Sequence, residues 1–93
     1  MINQIIIFGG SRNIGQKIKN KLNKKYKVIS PTSKECNLNK IKNISDFFKK
    51  ISKNNYYIIY LANKFSENKN IKVNYEINLN MLKNLLEVIN KKN

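Results

Sequence analysis

Hydrophobic and polar positions alternate along this chain in two distinct rhythms. Ile2 to Phe8 is almost continuously apolar and rich in β-branched side chains, which predicts a central parallel strand covered on both faces. Ile14, Ile18 and Leu22 then recur at four-residue spacing while Lys17, Lys19 and Lys24 point elsewhere, which predicts an amphipathic helix. Lys21 and Lys25 fall near its apolar stripe and are expected to reach back to water. Tyr26 to Ser30 reads as a second strand stopped by Pro31, Thr32 to Lys34 as a loop, and Glu35 to Leu38 as a short third strand. Asn39 is placed to cap the next helix, in which Ile41, Ile44, Phe47, Phe48 and Ile51 share one side. Asn54-Asn55 ends that pattern. Tyr56 to Ala62 reads as another strand, Asn63 to Lys72 as a loop, and Val73 to Ile89 as a last helix burying Val73, Ile77, Met81, Leu85 and Val88.

Strands thus alternate with helices, and each connection is long enough for a parallel crossover. The expectation is an α/β chain forming one domain over residues 1–93: a Rossmann-type, doubly wound parallel sheet of about four strands and three helices, truncated to its N-terminal half. Composition changes this picture little. The formal net charge of +14 invites an acidic partner, but the cations are almost all Lys, spread evenly among abundant Asn and Ile. A solvated basic surface is the expectation, and nucleic acid is not the expected partner. Cys36 is the single cysteine and there is no His, so neither an internal disulfide nor a metal site is expected. No apolar run is long enough to span a bilayer and a strand pattern starts at once, so a cytoplasmic protein with no membrane partner is expected.

The candidate chemistry lies where the first strand meets the first helix. Ile5-Ile6-Ile7-Phe8 runs into Gly9-Gly10-Ser11-Arg12-Asn13-Ile14-Gly15. A glycine closing a strand permits a sharp turn, and one in the first helical residues permits close approach of a phosphate to backbone N–H groups. The spacing is not G-x-G-x-x-G. It lies nearer the G-x-x-x-G-x-G and G-x-x-G-x-x-G variants, each missing its middle glycine, with Asn13 standing in for one of them as a residue that tolerates the left-handed region. The second strand ends Ser30-Pro31-Thr32-Ser33-Lys34 with no acid before Glu35, and Arg12 and Lys34 are both placed to approach a 2′-phosphate. A carboxylate there would favour NAD; a cation favours NADP(H), which is the expected cofactor, with NAD as the alternative.

These residues resemble the N-terminal segment of an extended short-chain dehydrogenase/reductase, the branch that modifies nucleotide sugars and includes epimerases, dehydratases, dTDP-4-dehydrorhamnose reductases and GDP-fucose synthases. Gly9 to Gly15 is similar to the family's cofactor turn, and Glu35-Cys36-Asn37-Leu38-Asn39 to its E-L-D-L or E-L-N-L segment. Ile59-Tyr60-Leu61-Ala62-Asn63 resembles the V-I-H-L-A-A strand. Tyr75-Glu76-Ile77-Asn78-Leu79-Asn80 with Asn84-Leu85-Leu86-Glu87 resembles the Y-x-x-N-V-x-x-T-x-N-L-L-E-A helix. The resemblance implies that Gly9, Ser11, Arg12, Ile14 and Gly15 line the pyrophosphate; Gly10, Asn13, Ser33 and Lys34 complete the residues expected to bind the cofactor. It implies that Asn37 and Leu38 sit against the adenine, Asn37 standing where most relatives carry Asp, and that Leu61, Ala62 and Asn63 run past the ribose and nicotinamide. Asn78 falls on the apolar flank of the last helix; a buried amide must be hydrogen-bonded, and in the family it ties this helix to a neighbouring strand.

The family's catalytic Tyr-x-x-x-Lys pair has no counterpart on a helix here. Tyr60 and Lys64 have the spacing but sit at a strand end, so the match is read as chance and no catalytic residue is assigned. The expected function is the NADP(H)-binding part of a nucleotide-sugar oxidoreductase or epimerase, its catalytic residues supplied by a second chain or a C-terminal half. The alternatives are a stand-alone, non-catalytic NAD(P)-binding regulatory module, and a basic nucleic-acid binder that stacks bases on Tyr56, Tyr57 and Tyr60. If the sheet lacks its next strand, Tyr56 to Ala62 becomes an apolar edge prone to association. That is the hypothesis of an incomplete reading frame or split enzyme; a soluble monomer that unfolds sharply at high concentration counts against it.

Overall fold

The computed structural model describes residues 4–9, 13–51, 55–62 and 70–92. By their contacts the residues group into two units, Met1–Lys34 with Ser52–Ala62, and Glu35–Ile51 with Asn63–Asn93.

The first unit holds a parallel sheet and one helix. Its strands are β1 (Gln4–Phe8), β2 (Lys27–Ile29) and β3 (Tyr56–Tyr60), in the order β2-β1-β3, and its helix is α1 (Asn13–Leu22). β1 pairs in register from Gln4↔Lys27 to Ile6↔Ile29 on one side and from Gln4↔Tyr56 to Phe8↔Tyr60 on the other. Being flanked on both sides and apolar on both faces, β1 is buried along its whole length. Each fully buried Ile contributes roughly 1.5–3 kcal/mol of burial. Gln4, 3% exposed at the amino end of this strand, is the polar exception. Among the described residues β3 stands at the sheet edge, the place expected for the Tyr56–Ala62 run if the sheet lacks its next strand, with Tyr57 exposed.

In α1, Gly15 is buried and Ile18 and Leu22 are half-buried, as the four-residue spacing predicts. Ile14, read from the same spacing, is instead 69% exposed. It sits in the first turn of the helix. The last turn closes through Asn23 N to Lys19 O and Tyr26 N to Leu22 O. Lys21 and Lys25 reach water, with Lys25 Nζ 5.9 Å from the centre of the Tyr26 ring.

The second unit is helical: α2 (Ile41–Lys49) packs against α3 (Ile71–Lys92). Ile44 and Phe48 of α2 are completely buried, and Phe47 meets Phe48 edge to face at 5.4 Å. Met81, Leu85 and Val88 form the buried stripe of α3, as its periodicity predicted. Val73 and Ile77 are only half-buried.

Three expectations are corrected. Among the described residues there are three strands, because Glu35 to Leu38 is turn rather than strand. Cys36 and Leu38 are both buried, which mimics strand alternation. Their alternation arises instead from an Asx turn, in which Asn37 Oδ1 accepts from Asn39 N at 2.9 Å and Asn37 O accepts from Lys40 N. The cap position of α2 is Lys40, in extended backbone without a side-chain cap, so Asn39 does not cap it; Ile51 lies beyond the helix end. Finally, α3 starts before Val73, because Asn70 Oδ1 accepts from Val73 N at 2.9 Å and caps the helix. Most of the Asn63–Lys72 loop and the Asn54 break lie outside the described residues.

Candidate functional site

Because the three strands are parallel, their carboxyl ends lie along one edge of the sheet. In open α/β sheets ligands bind at that edge. Here it carries Gly9 after β1, the Ser30–Lys34 segment after β2, and Leu61 and Ala62 after β3.

Gly9 is fixed there by two independent constraints. Its φ is +89°, a conformation that side chains with a Cβ rarely adopt. A Cβ built on it would also lie 2.6 Å from Ala62 N, 2.6 Å from the carbonyl carbon of Leu61 and 2.8 Å from Ala62 Cα. The contact is backbone against backbone, held by Leu61 N donating to Phe8 O at 2.7 Å just before the turn. Only glycine fits. β1 ends just before Gly9, and α1 begins at Asn13.

Asn13 departs from its expected role. No described residue other than glycine has a positive φ, so Asn13 is not a left-handed stand-in for a missing glycine. It is helical and exposed, and Ile14 beside it is exposed too, while Gly15 is buried. Gly10, Ser11, Arg12 and Asn63 lie outside the described residues, as does Lys64.

Ser33 and Lys34 form an exposed turn after β2. No Asp or Glu occurs anywhere in this unit's sequence; all five acids of the chain belong to the other unit. The first acid after β2 is Glu35, directly after Lys34 and exposed. Tyr60, whose Oη is buried without a hydrogen-bond partner among the described residues, has its phenol pKa raised by burial. It is a strand residue.

The remaining predicted residues are in the second unit. Asn37 is half-buried and spends its Oδ1 on the turn; Leu38 is buried. The Leu38 carbonyl accepts from Asn84 Nδ2 of α3 at 2.9 Å, which pins the Asn37-Leu38 segment to the last helix. Asn78 is half-buried and donates to Asn74 O, one turn back in its own helix, at 2.9 Å. Asn74 itself is only 6% exposed. Sequence reading singled out Asn78 and passed over Asn84 as part of an N-L-L-E run; the interhelical spacing that makes Asn84 useful is not visible in a linear pattern. Burial pushes the Cys36 thiol up from 9.0 to about 11, so it stays protonated and unreactive at neutral pH.

No helix among the described residues is long and apolar enough to cross a membrane. Set against known proteins, the chain matches no family model. No curated protein matches it either. Among solved structures it is similar to DdhaC, with 27% identity and a TM-score of 0.74 over 94% of this chain. It spans 26% of DdhaC, about a quarter of that protein's length.

Proposed function

We propose that this chain is an NADP(H)-binding segment of Rossmann type, the cofactor-holding part of a nucleotide-sugar oxidoreductase or epimerase resembling the extended short-chain dehydrogenases/reductases. The observation that carries the reading is Gly9: positive φ, no room for a Cβ, and a place at the carboxyl end of the central strand, just before a helix. That is the position at which a dinucleotide-binding turn needs a glycine. The order β2-β1-β3, with the first strand central, agrees with the middle of a doubly wound sheet.

In this reading the backbone from Gly9 to Gly15 holds the pyrophosphate, and exposed Lys34, at the end of a β2 segment with no acid before Glu35, favours a 2′-phosphate over a free hydroxyl. Leu61 and Ala62 border the nicotinamide side. The cofactor supplies hydride exchange when bound; proton transfer to the substrate belongs to residues outside this chain.

Calorimetric titration with NADPH and NADH, repeated on Gly15→Val, tests this. Binding of NADPH tighter than NADH, lost in the variant while circular dichroism is retained, supports the reading. A folded chain that binds neither nucleotide refutes it for the chain alone.

A further inference from the structure

The two edges of the sheet are built differently. β2 is three residues long, begins on exposed Lys27 and is followed by Pro31, the devices by which an edge avoids pairing with another chain. β3 has none of them. Lys and Arg make up 19 of the 93 residues, yet Tyr56–Tyr60 contains neither, and no Pro or Gly. Tyr57 is 56% exposed and Leu61, just past the strand, 36%. Among the described residues no strand lies on the outer side of β3. Such an edge is a template for another strand.

The backbone and the sequence of β3 say which strand. Leu61 N donates to Phe8 O, so Tyr57, Ile59 and Leu61 direct their N–H and C=O groups at β1. Ile58 and Tyr60 direct theirs to the open side, and Tyr56 shares their parity. The strand reads Tyr56-Tyr57-Ile58-Ile59-Tyr60, with Ile58 at its midpoint. Reversed about Ile58, Tyr60 falls on Tyr56 and Ile59 falls on Tyr57. Residues opposite one another in an antiparallel pair must share a sheet face and a hydrogen-bonding side. This register meets both conditions along the whole strand.

We propose that β3 pairs antiparallel with β3 of a second copy of this chain, about a two-fold axis passing between the two Ile58 residues. Ile58 exchanges both backbone bonds with the partner's Ile58, and Tyr60 does so with the partner's Tyr56. Between them Tyr57 lies against the partner's Ile59 at the closer, non-hydrogen-bonded positions, an aromatic on a β-branched side chain, twice by symmetry. On the other face Tyr56 and the partner's Tyr60 form an aromatic pair. The outer edges of the joined sheet are then the two blunted β2 strands, so assembly closes at the dimer. The formal charge of +14 on each copy opposes the pairing, so salt strengthens it. The pairing does not depend on whether the glycine turn binds a cofactor.

Sedimentation equilibrium of the full chain from about 1 µM to about 1 mM, in about 0.1 M and about 0.5 M salt, tests it. The wild type is expected to be dimeric in this range, and more tightly so in the higher salt. Tyr57→Lys, at a position already exposed, is expected to weaken the dimer about tenfold or more with circular dichroism retained. The register is read by oxidation in a Cys36→Ala background. Tyr57→Cys combined with Ile59→Cys is expected to give a disulfide-linked dimer, and neither cysteine alone, because only the two together lie opposite each other. A wild type that is monomeric at both salts overturns the proposal; an edge reserved for a strand of a different polypeptide would give that result. A dimer that Tyr57→Lys leaves intact overturns it too, as does cross-linking by Ile59→Cys alone, which requires another register.

Discussion

Asn84 of α3 donates its side-chain amide to the backbone carbonyl of Leu38, 46 residues earlier in the chain, at 2.9 Å. The bond joins the last helix to the turn that carries Asn37, and it leaves the Leu38 carbonyl satisfied where its side chain is buried. Asn84→Ala removes the donor and strands that acceptor. We expect a loss of about 1 kcal/mol in urea unfolding with an unchanged m-value. Asn84→Asp, which offers acceptors to an acceptor, should cost at least as much.

Gly9 should tolerate no substitution. Gly9→Ala combines a disfavoured backbone conformation with a contact at 2.6 Å to the Leu61–Ala62 backbone. That backbone cannot retreat without breaking the bond from Leu61 N to Phe8 O. We expect roughly 3 kcal/mol or more of destabilisation, read as a lowered midpoint in thermal or urea unfolding. A change under about 0.5 kcal/mol would mean that the turn is not held against β3.

Alkaline stability should depend on Cys36. Its folded pKa is about 11 against an ordinary 9.0, so the unfolded chain gives up the thiol proton first as pH rises. Protons are then bound more by the folded state, and stability falls with rising pH. The contribution is complete below about pH 9 and is lost progressively up to about pH 11. Tyr56 and Tyr60 are shifted upward by burial as well and add to the fall above their ordinary 10.0. Comparing wild type with Cys36→Ala from pH 8 to 11 isolates the thiol: the variant should show the shallower slope.

If Lys34 meets the 2′-phosphate, Lys34→Glu should weaken NADPH about tenfold while leaving NADH nearly unchanged or improved. Equal losses for both nucleotides would place Lys34 away from the adenosine ribose. The residue is exposed, so the substitution should not disturb folding.

How much was legible in the sequence varied with the kind of signal. β1 and α2 could be read because their patterns are set by burial alone: a strand apolar on both faces, and a helix whose apolar side lies opposite its lysines. The segment from Glu35 to Leu38 could not, because buried residues two apart look the same whether a ladder or an Asx turn puts them inside. Asn70 was lost as a cap among many asparagines. At the candidate site, Gly9 was found for the right physical reason, whereas Asn13 was given a conformational duty that its helical backbone does not perform. Asn78 and Asn84 show the limit most plainly: both are amides on one helix, and only the folded chain shows which of them reaches Leu38.

The central place of β1 also sets the order of events during synthesis. It is made before both of its neighbours, since Gln4 pairs with Lys27 on one side and with Tyr56 on the other. At about 5–20 residues per second the second neighbour emerges roughly 3–10 s after the first strand. For that interval Ile5, Ile6, Ile7 and Phe8 have at most one paired edge, and the closing contact is a long-range one of the kind that forms slowly. The nascent chain therefore presents its most apolar segment longest, and a ribosome-associated chaperone should bind within residues 4–8 in preference to the later strands.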